Sequence, residues 1–322
     1  MGTHDSYFNR KEHLVMNKIL NTSKFIGFIA GAYLGVSGIL LKSLIKNDIL
    51  ISQNTPKDIN LDYKEISFLN NFDVSNVHGW VIPHSKKLSE RPWVIIIPDK
   101  RTNMIDPIKG TLGIIKGLNK QKYNILIYDT NNNESYFQNY KIIGECEQMQ
   151  AIGAINFLKN EYGIKEDKIA LLGFGFGGSL AIITGSKFQN IGAIISDSAF
   201  ADLEILWKDS LKGIRKPFNY FIPGAKILAN IFLQNNIIEI SPFAYLSQSE
   251  IPIMIIHGLE DKIIPPEHGK MLARASGYDF IENKSKKQKF ILQKDIGHLD
   301  SFLSNPKQYM ENIKIFLEEN LA

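Results

Sequence analysis

Short apolar runs alternate with helical patterns over most of the chain. Five runs of four or five residues are rich in β-branched side chains and are bounded by polar or glycine-containing stretches: 93–97, 125–128, 169–172, 191–195 and 253–256. Strands that are buried on both faces have this pattern. We expect two further extended runs before them, at 63–69 and 74–82, and one more after them, at 289–292.

Helical patterns separate these runs, at 108–120, 144–162, 176–187, 266–276 and 305–319. Alternating strands and helices predict an α/β fold, a mostly parallel, doubly wound sheet with helices on both faces. Residues 201–236 interrupt the alternation with aromatic residues, Gly213, Pro217 and Pro223. We expect this segment to form a lid of two or three helices over the C-terminal edge of the sheet, where such folds bind ligands.

A long apolar segment precedes the sheet. Residues 25–41 read FIGFIAGAYLGVSGILL without a charge, and apolar residues continue to 45 across Lys42 and Ser43. Because a membrane span needs roughly 20 apolar residues, we expect a transmembrane anchor at 25–45, after a basic segment at 1–24 and before a linker at 46–60. A cleaved secretory signal and a buried helix are the alternatives, although no clear small-residue cleavage site follows the segment.

The anchor has two further features. Positive residues flank it on both sides, at Lys18, Lys24, Lys42 and Lys46. The charge rule therefore leans only weakly toward a single-pass protein with its N-terminus inside and its large domain extracellular. Gly27, Gly31 and Gly35 share one helix face, which predicts a homodimer contact, although glycine is also common in membrane spans.

Composition and charge exclude several classes. Hydrophobic residues make up 44% and charged residues 22% of the 322 positions, which excludes wholesale disorder. The single cysteine, Cys146, excludes an intramolecular disulfide and a cysteine-based zinc site. Residues 1–45 carry five basic and two acidic side chains of a chain with net charge +4, so the remainder is nearly neutral. We therefore expect no nucleic-acid partner, and we expect no cofactor or metal.

One glycine-rich motif completes a predicted strand and opens a predicted helix. Residues 171–181 read LLGFGFGGSLA. This context is typical of the nucleophile elbow G-x-S-x-G, in which a serine stands on a tight strand-to-helix turn. Gly173 and Gly177 take the flanking glycine positions, but the central position holds Gly175 instead of a serine.

Two later motifs complete a resemblance to the α/β-hydrolase superfamily. His257-Gly-Leu-Glu-Asp-Lys-Ile-Ile-Pro265 resembles the motif H-G-x-x-D-x-x-x-P, which implies Asp261 as the acid that orients the catalytic histidine. Gly297-His298-Leu-Asp-Ser-Phe302 resembles G-H-x-x-x-F, which implies His298 as the base. The order nucleophile, acid, histidine is that of this superfamily. The resemblance covers about residues 60–320, is closest to membrane-anchored bacterial serine-aminopeptidase-like hydrolases, and implies an α/β-hydrolase domain at 61–322.

Departures from the family pattern cluster at its chemistry. Besides Gly175, the chain has Pro98-Asp99-Lys100 where these hydrolases have His-Gly, and a carboxylate there opposes a developing oxyanion unless Lys100 offsets it. Residues 128–135 keep Asp129 and a shifted Ser135, but lack the family's arginine and glycines. Glycine also adopts the strained elbow conformation freely. An engineered nucleophile knockout is the alternative, which the other departures do not favour.

The resulting hypothesis is a membrane-anchored pseudo-hydrolase that lacks the serine nucleophile and binds a small or lipid-like ligand or a partner. The alternative is an active, serine-independent hydrolase in which His298, oriented by Asp261, activates a water. The two residues also make sense as a structural pair that ties two loops together. Asp197, after the predicted strand at 191–195, is interpreted as a cap of the next helix or as an alternative acid.

Overall fold

The computed structural model describes residues 22–40, 42, 51–70, 75–100, 102–130, 144–188, 190–212, 214, 216–232, 240–282 and 287–321. These residues divide into two compact units. The first, which we call the helical unit, comprises the described parts of 1–46 and 211–235, and the second, the body, comprises those of 47–210 and 236–322. Most of the predicted basic segment, the start of the linker and residues 131–135 lie outside the described residues.

The body contains an eight-stranded sheet in the order β1-β2-β4-β3-β5-β6-β7-β8. β2 pairs antiparallel with β1 and β4, and all other neighbours are parallel. The strands are β1 Lys64–Leu69, β2 Asn76–Ile82, β3 Trp93–Ile97, β4 Asn124–Tyr128, β5 Ile169–Phe174, β6 Ala193–Asp197, β7 Ile253–Gly258 and β8 Gln288–Gln293. The mostly parallel sheet predicted from the alternating pattern is confirmed.

Helices cover both faces of this sheet. Among the described residues of both units, the helices are α1 Thr22–Leu40, α2 Thr111–Lys120, α3 Glu145–Tyr162, α4 Phe176–Lys187, α5 Leu203–Lys212, α6 Ile222–Phe232, α7 Pro242–Leu246, α8 Pro266–Ala275, α9 Ser301–Ser304 and α10 Pro306–Asn320, of which α1 and α6 belong to the helical unit. Alternate residues of a strand enter opposite cores: Ile95 and Ile97 lie in one apolar cluster, while Val94 and Ile96 lie in the other. The strands are continuous apolar runs because both faces are buried.

β6 begins and ends two residues later than the predicted run. The Gly192 N–H donates to the carbonyl oxygens of Glu166 and Ile169, and residue 192 lies in the loop before the strand. Asp197 is consequently the last residue of β6 and does not cap the next helix. That cap is Asp202, whose Oδ1 accepts from the Ile205 N–H at 3.0 Å. The interpretation of Asp197 as a helix cap is wrong.

The helical unit contains α1, α6 and a short 3₁₀ turn, Phe218–Phe221. The insert, residues 201–236, therefore holds α5, the 3₁₀ turn and α6 among its described residues. α1 has 19 residues and is long and apolar enough to cross a membrane. Signal sequences and core helices share this length and composition, so α1 supports a membrane anchor only weakly.

Candidate active site

Gly175 forms the tight turn between β5 and α4. Its φ of 53° and ψ of −117° lie where side-chain-bearing residues are strained. Neighbouring glycines are required by close packing: a methyl group at Gly177 would overlap the carbonyl oxygens of Ile97 and Pro98. The local geometry is therefore that of a nucleophile elbow, with the backbone in place and without the nucleophile.

The carboxylate of Asp99 fills the space beside Gly175. A Cβ built on Gly175 would lie 2.5 Å from Asp99 Oδ1 and 2.9 Å from its Cγ. The same Oδ1 accepts a hydrogen bond from the Phe176 N–H at 3.0 Å. In this kind of elbow, the N–H of the residue after the nucleophile helps to hold the oxyanion. A carboxylate of the chain itself thus occupies the position where the nucleophile and the oxyanion would stand.

Asp261 and His298 lie together beside Gly175. Asp261 Oδ2 is 2.7 Å from His298 Nδ1, and Asp261 Oδ1 accepts from the N–H groups of Ile263 and Ile264 at 2.9 and 2.8 Å. His298 Nε2 would lie 3.4 Å from the Cβ built on Gly175. The structure therefore brings all three sequence-predicted site positions together, in the relative placement of an acid, a base and a nucleophile.

The Asp261 carboxylate is stabilised in its charged form. Burial raises the pKa of Asp261, but the hydrogen bond and charge of His298 and the N–H groups of Ile264 and Ile263 lower it by more. The net pKa lies below the ordinary value of 3.8. His257 is also buried beside this carboxylate: its Nε2 lies 2.9 Å from the Ile264 carbonyl oxygen. Burial is the main cause that lowers the pKa of His257, so its neutral form is favoured.

Sequence reasoning missed a lysine that holds the histidine loop. Lys109 precedes α2, and its amine donates to the His298 carbonyl oxygen at 2.8 Å and to Asp300 Oδ1 at 2.6 Å. These two bonds span 189 and 191 positions of the chain. No local pattern signals such a pair, because it exists only after the sheet has formed.

A second buried acid lies near the pair. Asp197 Oδ1 accepts from the Ser198 hydroxyl and Oδ2 accepts from the Tyr309 hydroxyl, each at 2.9 Å. Burial raises the pKa of Asp197 to about 6, although both hydrogen bonds and the charge of His298 lower it. The carboxylate that contacts His298 is that of Asp261, whereas the two oxygens of Asp197 accept from hydroxyl groups.

The surroundings of Asp99 are crowded. Lys100 points its amine over the Phe176 ring, 5.3 Å from the centroid, and lies 4.0 Å from Glu147 Oε1. A cavity of ≈ 20 Å³ lies next to Asp99, with room for about one water molecule. Its lining includes Pro98, Asp99, Phe174, Asp197, Leu299 and Phe302. Within the described parts of the chain, no group of three or more His, Cys, Asp or Glu side chains is arranged for a metal ion.

The strand order, the elbow and the His–Asp pair together define an α/β-hydrolase fold with a serine-free elbow. Comparisons with known proteins agree on the fold. A family model described as BD-FAE matches residues 146–275. The chain is 23% identical over 274 residues to the Arabidopsis thaliana alpha/beta hydrolase domain-containing protein WAV2, covering 82% of each protein. It is 24% identical over 234 residues to the Escherichia coli (strain K12) protein YfhR, covering 71% of this chain and 72% of YfhR.

Among solved structures, the Pyrococcus furiosus esterase Pf2001 is similar, with a TM-score of 0.67 and 19% sequence identity. The match covers 86% of this chain and all of the esterase. A structural likeness at this identity shows the fold. Together the comparisons support the α/β-hydrolase superfamily for this chain, as the three separated motifs predict.

Proposed function

We propose that this protein is a membrane-anchored pseudo-hydrolase, which does not carry out serine-type acyl transfer and acts by binding a small or lipid-like ligand or a partner. One observation carries the proposal. Asp99 Oδ1 accepts the Phe176 N–H and stands where the side chain at position 175 would begin. The elbow therefore lacks its hydroxyl, and its oxyanion donor already has an anionic acceptor.

A carboxylate at this point opposes the chemistry directly. Acyl transfer develops a negative charge on the substrate oxygen, and catalysis depends on donors that are free to stabilise that charge. Two anionic oxygens cannot share the Phe176 N–H without repulsion, which is strong where water is excluded. Restoring the hydroxyl alone leaves this second obstacle in place. The same conflict also applies to substrates that are attacked by a water.

The His298–Asp261 pair does not need a reaction to explain it. Asp261 accepts hydrogen bonds from Ile263, Ile264 and His298, and so joins the loop after β7 to the histidine loop. Removing one partner from such a buried network leaves an unpaired polar group, which costs about 1–3 kcal/mol. We therefore interpret the pair as a structural tie between two loops.

The alternative function is hydrolysis by a water that His298 activates, with Asp261 as the orienting acid. General-base catalysis supplies roughly 10²–10⁴-fold, so only labile esters would qualify as substrates. The space expected for that water holds the Asp99 carboxylate. The geometry supports the pseudo-hydrolase better, because the water would have to displace a hydrogen-bonded anion.

Fluorophosphonate labelling of the purified full-length protein tests the proposal, with an active serine hydrolase as the positive control. We expect no labelling, and stoichiometric labelling refutes the proposal. Turnover of a p-nitrophenyl ester tests the alternative in parallel. Turnover that His298→Ala abolishes supports the activated water, whereas turnover that this change leaves intact, or no turnover at all, rejects it.

The location and partners are part of the same proposal. The apolar segment 25–45, which includes most of α1, anchors the chain in a membrane, with the large domain outside. Gly27, Gly31 and Gly35 have no atom within 4 Å of a built Cβ among the described residues, so their face is open to a second copy of α1. The cavity beside Asp99 has room for about one water molecule, so it does not itself hold a small or lipid-like ligand.

A further inference from the structure

The insert covers one side of α1 within the helical unit. The Tyr33 hydroxyl accepts a hydrogen bond from the Gly224 N–H at 3.1 Å and donates one to the Tyr220 carbonyl oxygen at 3.0 Å. The rings of Tyr33 and Phe221 lie 5.3 Å apart. Ser37 is fully buried, and a methyl group at Gly224 would overlap it. These contacts join the C-terminal half of α1 to the start of α6.

α6 runs beside α1 in the same direction. Tyr33 contacts Tyr220 and Gly224, and a Cβ built on Gly38 would lie 3.7 Å from Leu228. Later residues of α1 thus contact later residues of α6, as in parallel helices. Gly38 precedes Lys42 by four residues, which is about 6 Å along a helix. The insert is therefore held beside the C-terminal half of α1, from Tyr33 toward Lys42.

The insert presents large apolar side chains to its surroundings. Phe218, Tyr220, Ile227 and Ile231 are 56%, 61%, 54% and 63% exposed. α1 exposes further apolar residues, including Phe25, Ile26, Phe28 and Ile29. Soluble monomers rarely expose many large apolar side chains together, and such patches mark contacts with proteins or membranes.

The charged residues indicate whether a protein or a membrane contacts these apolar side chains. Residues 22–46 and 211–235 contain seven cationic side chains and no Asp or Glu, in a chain with 33 acidic residues: Lys24, Lys42, Lys46, Lys212, Arg215, Lys216 and Lys226. Exposed aromatic and aliphatic residues combined with charged residues that are all cationic are typical of segments that bind a membrane. Cations near such a surface are attracted to anionic lipids. The combination favours a lipid bilayer as the occupant.

We propose that residues 211–232 form a second membrane-binding element, held beside α1 by Tyr33, that inserts into a bilayer containing anionic lipids. Its exposed aromatic and aliphatic side chains contact the acyl chains. Lys216 and Lys226 are exposed and reach the headgroups with their long side chains. Gly35 lies about 200° around α1 from Tyr33, so the insert leaves the glycine face open. This element does not depend on whether the body is a pseudo-hydrolase.

An environment-sensitive fluorophore on the insert tests this proposal in the full-length protein. Cys146→Ala removes the native thiol, and Ile227→Cys supplies one site for a nitrobenzoxadiazole label. The matched control carries the label at Ile281→Cys in the body, which is 94% exposed. Each protein is reconstituted in vesicles of phosphatidylcholine alone and of phosphatidylcholine and phosphatidylglycerol in equal parts.

We expect a blue shift and quenching by nitroxide lipids for the label at Ile227 in the anionic vesicles, with weaker effects in the neutral ones. The label at Ile281 should stay in water in both. Lys216→Gln and Lys226→Gln should each lower the partition of the insert into anionic vesicles roughly fivefold. Tyr33→Phe should weaken insertion as well, because it removes both hydrogen bonds to the insert.

Three results overturn the proposal. The label at Ile227 remains in water in both vesicles, it inserts equally in both, or it is shielded without vesicles in a concentration-dependent way, which indicates a second copy of the chain. If the Ile227→Cys protein fails a circular-dichroism check of folding, the same measurement at Ile231→Cys decides the question.

Discussion

Restoring the missing serine should fail unless Asp99 is removed as well. In Gly175→Ser, the new Cβ lies 2.5 Å from Asp99 Oδ1, which is closer than side chains tolerate, so the carboxylate has to leave the Phe176 N–H. Backbone strain at the positive φ costs about 1–3 kcal/mol. A hydrogen bond to a charged group adds about 1.5–3 kcal/mol. We expect Gly175→Ser to lower the free energy of unfolding by roughly 4 kcal/mol.

Asp99→Ala should lose the hydrogen bond to the Phe176 N–H without introducing backbone strain. The double variant, Gly175→Ser with Asp99→Ala, should lose that hydrogen bond only once. Its loss in free energy of unfolding should therefore be about 1.5–3 kcal/mol smaller than the sum of the losses in the two single variants. Urea unfolding of the four proteins measures this coupling. Gly163→Ser is the control for a positive φ without a clash, because Gly163 has a φ of 64° and no atom within 4 Å of a built Cβ. Its ψ of 26° differs from the −117° of Gly175, so its cost is a lower bound on the backbone strain at Gly175.

Fluorophosphonate labelling of the same proteins reports on the chemistry. We expect no labelling of Gly175→Ser and measurable labelling of Gly175→Ser with Asp99→Ala, since His298 Nε2 lies within 3.4 Å of the built Cβ. Strict additivity of the unfolding free energies, or equal labelling of both serine variants, would refute the conclusion that Asp99 blocks the elbow.

Three further predictions concern the buried groups around the site. The folded-state pKa of Asp197 is about 6, so its contribution to the free energy of unfolding falls as pH rises from about 4 to about 6. Asp197→Asn should remove this loss. Urea unfolding across pH 4–7 should therefore show the variant gaining roughly 3 kcal/mol relative to the native protein between pH 4 and pH 6. Asp261 has a lowered pKa, so its contribution is present above about pH 4 and is lost as pH falls through the folded-state pKa; Asp261→Asn should flatten that acid limb in the same titration. Lys109→Met should cost about 1–2 kcal/mol in urea unfolding, because the His298 carbonyl oxygen and Asp300 lose their donor. Unchanged pH profiles, or an unaffected Lys109→Met protein, would contradict these assignments.

The sheet could be predicted from sequence because each strand is recognisable from a short stretch of consecutive residues. Each buried strand is a short apolar run, and the predicted starts of β3, β5 and β7 coincide with those in the structure. The predicted start of β6 is two residues too early, because Ile191 and Gly192 are apolar or small but lie in the loop before the strand. The Gly192 N–H donates there to the carbonyl oxygens of Glu166 and Ile169. Apolarity alone does not distinguish a loop that packs against the sheet from the strand it precedes.

The site was predictable as far as family motifs reach. Gly175, Asp261 and His298 follow from three motifs, and Asp99 was recognised as an unfavourable charge near the oxyanion position. The sequence could not show that Asp99 bonds the Phe176 N–H, since that depends on how the loop after β3 packs against α4. Lys109 and Tyr309 were missed for the same reason: their partners lie more than 100 positions away.

The residues that match the hydrolase motifs also make contacts that hold the fold together. Asp261 and His298 make hydrogen bonds that join two loops, and Gly177 fills a place where any side chain would collide with the backbone after β3. The hydroxyl at position 175 and a free Phe176 N–H would serve only the chemistry, and neither is present. An active serine hydrolase needs both groups of residues, whereas a binding protein on this fold needs only the first. The body therefore has residues that maintain the α/β-hydrolase fold, and it has no serine hydroxyl at position 175.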